Sequence, residues 1–262
     1  MSLNIAFLGT GTCCATSRNP SSLALSNGEE VVCIDFGGGA YHSLARLSHP
    51  LFDPRRISTI LFSHFHVDHV SGMPDFFWGE MFDPVHRRER PVRLAGPPGL
   101  VNFFEQRLLP FMGDYPVPFG VELSELRDGE GLECPVGVLR SRRLAHGEFS
   151  TGYLLESDDF SLAVTGDTGN CDSLELLLKS CDCAVMEWSI AGFEPAPQHL
   201  SSADIVGLLQ REALPPRVFI THMYLPEGVG FDELVLRHRK TVEDFPVEFL
   251  FPLDGEVFEL RV

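Results

Sequence analysis

Ser58-Thr59-Ile60-Leu61-Phe62-Ser63-His64-Phe65-His66-Val67-Asp68-His69 decides how this chain is read, because an apolar run opens directly onto three imidazoles and a carboxylate. Neutral His nitrogen and Asp oxygen are donors that borderline divalent ions such as zinc accept. On an extended segment the spacing of His64 and His66 sends both side chains the same way, and Asp68 and His69 follow as the chain turns. The cluster is a candidate metal site with donors enough for two neighbouring ions. A polar loop rich in His by chance is the bland reading of a lone His-x-His; the longer pattern at a strand end outweighs it.

Short apolar runs bounded by Gly, Pro or Asp recur outward from this segment and predict strands at about 4–9, 31–36, 58–63, 91–95, 136–144, 151–156, 161–165, 183–188 and 217–221. Helical segments are expected between them, at Ala40 to Leu47, Gly99 to Leu109, Ser173 to Lys179, Ala203 to Ala213 and Phe231 to Lys240. Asp172-x-x-Glu175 has the form of a capping box, and Ser201 or Ser202 suits the cap of the helix carrying Ile205, Leu208 and Leu209. In the tail, apolar runs flank Asp254-Gly255, which predicts a hairpin. The stretch Gly113 to Gly120, with Pro116 and Pro118, reads as an irregular loop.

Three further donors complete the cluster. His146 follows a strand-like run, Asp167 follows Ser161-Leu162-Ala163-Val164, and His222 follows Arg217-Val218-Phe219-Ile220-Thr221. Taken singly, each has a structural reading as a surface His, a turn Asp or a hydrogen-bonded core His. Their shared placement at strand ends makes the joint coincidence poor, since one rim of a sheet is where distant segments converge on a site.

The 262 residues, 44% of them hydrophobic, suit one domain over 1–262. With 20 Lys and Arg against 37 Asp and Glu, the formal charge of −17 opposes long-range attraction to nucleic acid. Arg87-Arg88-Glu89-Arg90 and Arg140-Ser141-Arg142-Arg143 are the dense basic patches and read as solvated surface. Seven scattered cysteines show no disulfide framework, as in a reducing compartment. Cys13-Cys14 and Cys181-x-Cys183 are soft-metal donors by type, with Cys183 reading as core. Neither a basic leader nor a membrane span is visible, which predicts a cytoplasmic protein without membrane partners.

Phe7-Leu8-Gly9-Thr10-Gly11-Thr12, Arg18-Asn19-Pro20-Ser21-Ser22, Ile34-Asp35-Phe36-Gly37-Gly38-Gly39, Ser63-His64-x-His66-x-Asp68-His69, Gly96-Pro97-Pro98-Gly99, Gly152-Tyr153, Gly166-Asp167-Thr168 and Thr221-His222 follow one another along residues 5–225. In this order the chain resembles the metallo-β-lactamase superfamily and, within it, the ribonuclease Z branch. The resemblance implies an α/β fold, a four-layer αβ/βα sandwich, with two divalent metal ions in the cleft between its halves. His64, His66 and His146 would hold one ion, Asp68, His69 and His222 the other, and Asp167 would bridge them. Zinc is the default, with manganese or iron the alternatives that the same donors accept. In that branch a Glu and a further His assist the leaving oxygen, and Glu187 and His199 match those positions. Their structural readings are a buried polar strand residue and a helix-flanking surface His. Asp68 would serve both as ligand and in aiming the nucleophilic water.

Gly9-Thr10-Gly11 and Gly37-Gly38-Gly39 permit close backbone approach, either to a phosphate or within tight strand-to-loop turns. Asp35 reads as structural, accepting backbone hydrogen bonds at its turn. The tRNA-processing members of the branch carry an arm between the counterparts of His146 and Asp167, where this chain has only 20 residues. The expected activity is therefore hydrolysis of a small phosphodiester, with hydrolysis of a carboxylic ester, lactone or thioester, or tRNA 3′-processing, as the alternatives. β-Lactam hydrolysis, iron redox chemistry and a non-catalytic binding role fit less well, since no export signal or flavin domain is seen and all seven donors are present. By analogy with the branch a homodimer is compatible with the chain, although no residue stripe marks its interface.

Overall fold

The computed structural model describes residues 3–15, 17–158 and 160–260. Its centre is two seven-stranded sheets. The first contains β1 (Asn4–Gly9), β2 (Ser22–Ser26), β3 (Val31–Phe36), β4 (Ile57–Leu61), β5 (Val92–Gly96) and β6 (Val121–Glu125). The second contains β7 (Gly131–Cys134), β8 (Gly137–Arg143), β9 (Thr151–Ser157), β10 (Phe160–Val164), β11 (Cys183–Glu187), β12 (Arg217–Thr221) and β13 (Glu248–Leu250). The last strand, β14 (Val257–Glu259), returns to the first sheet, which runs β14-β1-β2-β3-β4-β5-β6; the second runs β13-β12-β11-β10-β9-β8-β7.

Strands covered on both faces read as continuous apolar runs, and alternation divides each run between two cores. Ile5 and Phe7 of β1 face the other sheet, where Phe7 meets Phe219 with ring centroids 5.2 Å apart. Ala6 and Leu8 face the outer helices α1 (Ala40–Arg46) and α3 (Met73–Phe82), with α2 (Val67–Val70) a single turn between them. A further helical segment on that side is α4 (Leu100–Phe103), which passes through one π-helical turn into α5 (Leu109–Phe111). Behind the second sheet, α6 (Asp172–Leu178), α7 (Ser202–Gln210) and α8 (Phe231–Val242) pack on Ala184, Met186, Trp188, Val218 and Ile220. Helix, sheet, sheet and helix make the four expected layers.

The tail departs from its expected hairpin. β13 pairs parallel with β12 in one sheet, whereas β14 pairs antiparallel with β1 in the other, so Asp254-Gly255 carries the chain between sheets. The cause is non-local: Asp254 Oδ1 accepts from Thr10 N at 2.9 Å and Thr10 Oγ1 at 2.8 Å, and Oδ2 accepts from Asn19 N at 2.6 Å. The capping box expected at Asp172 is also absent, because Cys171 occupies the N-cap without a side-chain bond. Ser201 does cap α7, in a reciprocal box with Asp204. Residues 113–120 are irregular, as expected.

Arg88 corrects the reading of its patch as solvated surface. It is buried, 3.1 Å from Glu80, and donates to the carbonyls of Ile57 and Pro91. Arg90 pairs with Glu30 at 2.5 Å and Arg140 with Glu156 at 2.5 Å. Cys183 lies in the core, as read. No helix among the described residues is long and apolar enough to cross a membrane.

Candidate metal centre

Strand direction explains the convergence. In the second sheet β8, β10, β11 and β12 all run the same way, because β9 is antiparallel to both β8 and β10 while β10, β11 and β12 are mutually parallel. Their C-terminal ends therefore share one rim, and His146, Asp167, Glu187 and His222 lie at or just beyond those ends. In the first sheet β1, β3 and β4 end on the facing rim, delivering Thr10, Asp35 and His64.

The seven predicted donors meet there. His64, His66, His146 and Asp167 form one group and Asp68, His69 and His222 another, the donor atoms within each group lying within 4.8 Å of one another. Asp167 Oδ2 lies between them, 3.8 Å from both His64 Nε2 and His146 Nε2, 3.4 Å from His69 Nε2 and 3.3 Å from His222 Nε2. Asp68 Oδ2 is 3.4 Å from His222 Nε2. His66 is the one exposed member. β4 ends earlier than expected, so His64 and His66 lie in the extended segment after it, and Asp68 and His69 on α2.

Several imidazoles present one nitrogen to the group because the other is engaged. His69 Nδ1 is 2.7 Å from Asp35 Oδ2, His146 Nδ1 2.7 Å from the Gln198 carbonyl, His64 Nδ1 3.0 Å from Ser63 Oγ and His222 Nδ1 3.1 Å from Ser189 Oγ. Such outer partners fix the ring orientation of metal-binding His. His64 Nε2, His69 Nε2 and Asp167 Oδ1 are buried with no hydrogen-bond partner, each normally costing about 1–3 kcal/mol. Unpaired, convergent and chemically matched to a divalent cation, these atoms fit a metal.

The charges agree. Burial drives the His64 imidazole well below its usual range, aided by His69. Burial opposes ionisation of Asp167, yet the neighbouring His222 and His69 hold its carboxyl well below the ordinary value. The same contest lowers Asp68, where burial is outweighed by the hydrogen bond from His222 and the charge of His69. Ionised Asp and neutral His64 are states that ligate, whereas His69, which burial would lower but Asp167 and Asp35 hold well above its usual range, must give up its proton to a metal.

His222 has a left-handed backbone, φ 53°, a strain of about 1–3 kcal/mol for a residue other than Gly. It is held from both ends: its N–H donates to the Thr10 carbonyl at 2.9 Å, and its carbonyl accepts from Ser189 Oγ at 2.7 Å. The first glycine turn is thus a brace between sheets. Thr10 N is taken by Asp254, Gly11 N by Asn19 and Gly37 N by Ser21, which favours the turn reading of both glycine segments over phosphate contact. At Gly166, φ 59°, a Cβ would lie 2.5 Å from Ser63 Cβ, so only glycine lets Asp167 approach the His64 segment.

Beside the donors, His199 Nδ1 lies 3.1 Å from Glu187 Oε1 and 3.2 Å from Oε2. Glu187 is fully buried and accepts from Thr168 N at 2.6 Å and Leu200 N at 3.1 Å, so it anchors His199 without reaching the cleft itself. His199 Nε2 is left facing its neighbours, its ring 4.8 Å from His146 and stacked at 5.6 Å on His222. Burial works against protonation of His199, but the Glu187 hydrogen bond and charge raise it above the ordinary value.

Asp35 does more than the sequence reading allowed. It accepts from Ser63 N at 2.7 Å and Ser63 Oγ at 2.8 Å, as expected of a turn residue, but also orients His69. Ser63, Ser189 and the Gln198 carbonyl were not expected. The available signals were Ser63 beside His64 and Ser189 two residues after Glu187; nothing in sequence marks the Gln198 carbonyl.

Residues 32–223 match the family described as beta-lactamase superfamily domain. An uncharacterized protein of Mycobacterium leprae (strain TN) is 29% identical over 240 residues, covering 87% of this chain and 78% of that protein. A ribonuclease Z of Methanosarcina acetivorans is 31% identical over 154 residues, 58% of this chain, and the match spans about half, 48%, of that protein. Among solved structures, the metallo-β-lactamase fold protein YhfI of Bacillus subtilis superposes with a TM-score of 0.80 at 15% identity, covering 99% of this chain and 100% of that one.

Proposed function

We propose, from the premise that this chain belongs to the metallo-β-lactamase superfamily and is a metal-dependent hydrolase of its ribonuclease Z-like branch, that it cleaves a compact phosphodiester. The observation that carries the choice of phosphate is the Glu187–His199 pair, 3.1 Å apart beside the donor groups. Cleavage of an alkyl phosphodiester, which is slow and expels an alkoxide, gains more from a placed proton than cleavage of a thioester, whose thiolate leaves unaided.

Two divalent ions, zinc by donor type, would be held by His64, His66 and His146 and by Asp68, His69 and His222, with Asp167 beside both groups, and would supply a water of lowered pKa. Asp68 accepts a hydrogen bond from the attacking water and aims it at phosphorus. His199 delivers its Nε2 proton to the departing oxygen, while Glu187 keeps Nδ1 occupied and favours the protonated ring. The catalytic roles are those of Asp68 and His199; Glu187 positions His199.

A small substrate fits better than tRNA. β9 and β10 use most of the 20-residue interval between His146 and Asp167, and the net charge of −17 repels a polyanion. The test is hydrolysis of bis(p-nitrophenyl) phosphate, cyclic nucleotides and a carboxylic ester by metal-loaded protein. Cyclic-nucleotide turnover that falls at least about 100-fold in His199→Ala is expected, with bis(p-nitrophenyl) phosphate, whose leaving group needs no proton, affected far less. Ester or lactone turnover without any phosphodiester turnover would overturn the reading.

A further inference from the structure

Of the seven cysteines, only Cys13 and Cys14 are exposed; the other five are buried or partly so. The pair is consecutive, on the turn that follows Gly9-Thr10-Gly11, with Sγ atoms 3.8 Å apart and unbonded. That turn is tied to the metal centre, since the Cys13 N–H donates to Asp68 Oδ2 at 3.4 Å. It is also tied to itself, through Cys14 N to Thr12 Oγ1 at 3.3 Å. Two soft donors in contact thus stand at the rim of a site built from His and Asp.

We propose that Cys13 and Cys14 form a separate thiophile-binding site, a vicinal dithiol that captures one trivalent soft centre, with an arsenical as the ligand class. Thiolate sulfur selects soft centres, whereas the His and Asp donors nearby suit borderline and harder ions, so the two sites sort their ligands by chemistry. The capture step is a condensation. Two sulfur–arsenic bonds form, two arsenic–oxygen bonds of the hydrated arsenical break, and both thiol protons leave with those oxygens as two waters. No oxidation state changes. The second bond forms within the same molecule, at the high effective concentration of a neighbouring thiol, so the chelate resists competition by single thiols. Closing it draws the two sulfurs together and moves the turn whose amide meets Asp68.

Phenylarsine oxide added to metal-loaded protein tests this, with free thiols counted by Ellman's reagent, adducts read by intact mass and peptide mapping, and metal retention read by elemental analysis. One phenylarsenic per chain, less two hydrogens, is expected on the Cys13-Cys14 peptide, with both fast-reacting thiols lost and the divalent metal retained. Excess monothiol should leave the adduct in place and 2,3-dimercaptopropanol should remove it. Cys14→Ser, checked for native folding by thermal unfolding, should lose the monothiol-resistant adduct. An adduct that survives unchanged in Cys14→Ser, maps to other cysteines, is stripped by monothiol or displaces the metal would overturn the assignment.

Discussion

His69 Nδ1 and Asp35 Oδ2 are 2.7 Å apart in a fully buried pair, so the carboxylate of one strand end dictates which nitrogen of His69 faces Asp167. Outer partners of this kind are worth about 10–100-fold in metal affinity. Asp35→Asn should weaken divalent metal binding by that order while leaving the donors in place. Competition with a chromogenic chelator measures it; unchanged affinity would show that Asp35 serves only the Ser63 turn.

His199 and Glu187 should separate by leaving group. His199→Ala is expected to cost about 100-fold or more on an alkyl phosphodiester, which needs the proton, and far less on a p-nitrophenyl ester, which does not. Glu187→Gln should follow the same trend more mildly and move the alkaline limb of the pH–rate profile to lower pH, because the carboxylate that holds His199 protonated is gone. Equal losses on both leaving groups would remove His199 from the role of acid.

His238 lies on α8, stacked on Trp188 with centroids 4.0 Å apart, and burial pushes its pKa down to about 4 from an ordinary 6.5. The folded state therefore favours the neutral ring. Its contribution is complete above pH 6.5 and is lost as pH falls towards the folded value of 4, by at most about 3 kcal/mol. His238→Phe should flatten the fall in unfolding free energy between those two pH values relative to the parent, measured by urea unfolding with metal content matched. Parallel curves for the two proteins would contradict it.

Asp254 joins the tail to Thr10 and Asn19, and Thr10 in turn holds the His222 amide. Asp254→Ala leaves those donors without their charged acceptor, a loss of about 2–3 kcal/mol. Urea unfolding measures that loss, and metal affinity should drop with it because His222 loses its brace. A stability loss with unchanged metal affinity would confine Asp254 to the fold.

Sequence carried the parts of this molecule that are local. β1, β3 and β12 coincide with runs predicted from apolar residues between turn residues, because strands covered on both faces announce themselves that way. β2, only five residues with Ser at each end, was missed although it is wholly buried. α3 was missed too: Pro74, Gly79 and four aromatic residues make Met73–Phe82 a poor helix by propensity, and packing of Phe76 and Phe77 in the core overrides it. The tail failed for a different reason, since Asp254-Gly255 obeys hairpin rules locally and is captured by Thr10 from the far end of the chain. The same limit applies to the site. The convergence of the seven donors was legible, His64, His66, Asp68 and His69 from their clustering and His146, Asp167 and His222 from their place after strand-like runs. The Asp35–His69 bond, by contrast, joins residues 34 positions apart and leaves no spacing to read.

The most direct test is a metal titration of apo protein in which bound ions and bis(p-nitrophenyl) phosphate hydrolysis are followed together. The donor arrangement predicts two ions per chain and a rate that rises with the second, and Asp167→Ala should lose that second equivalent along with the rate. Full activity at one ion per chain, or no phosphodiester hydrolysis at two, would contradict it.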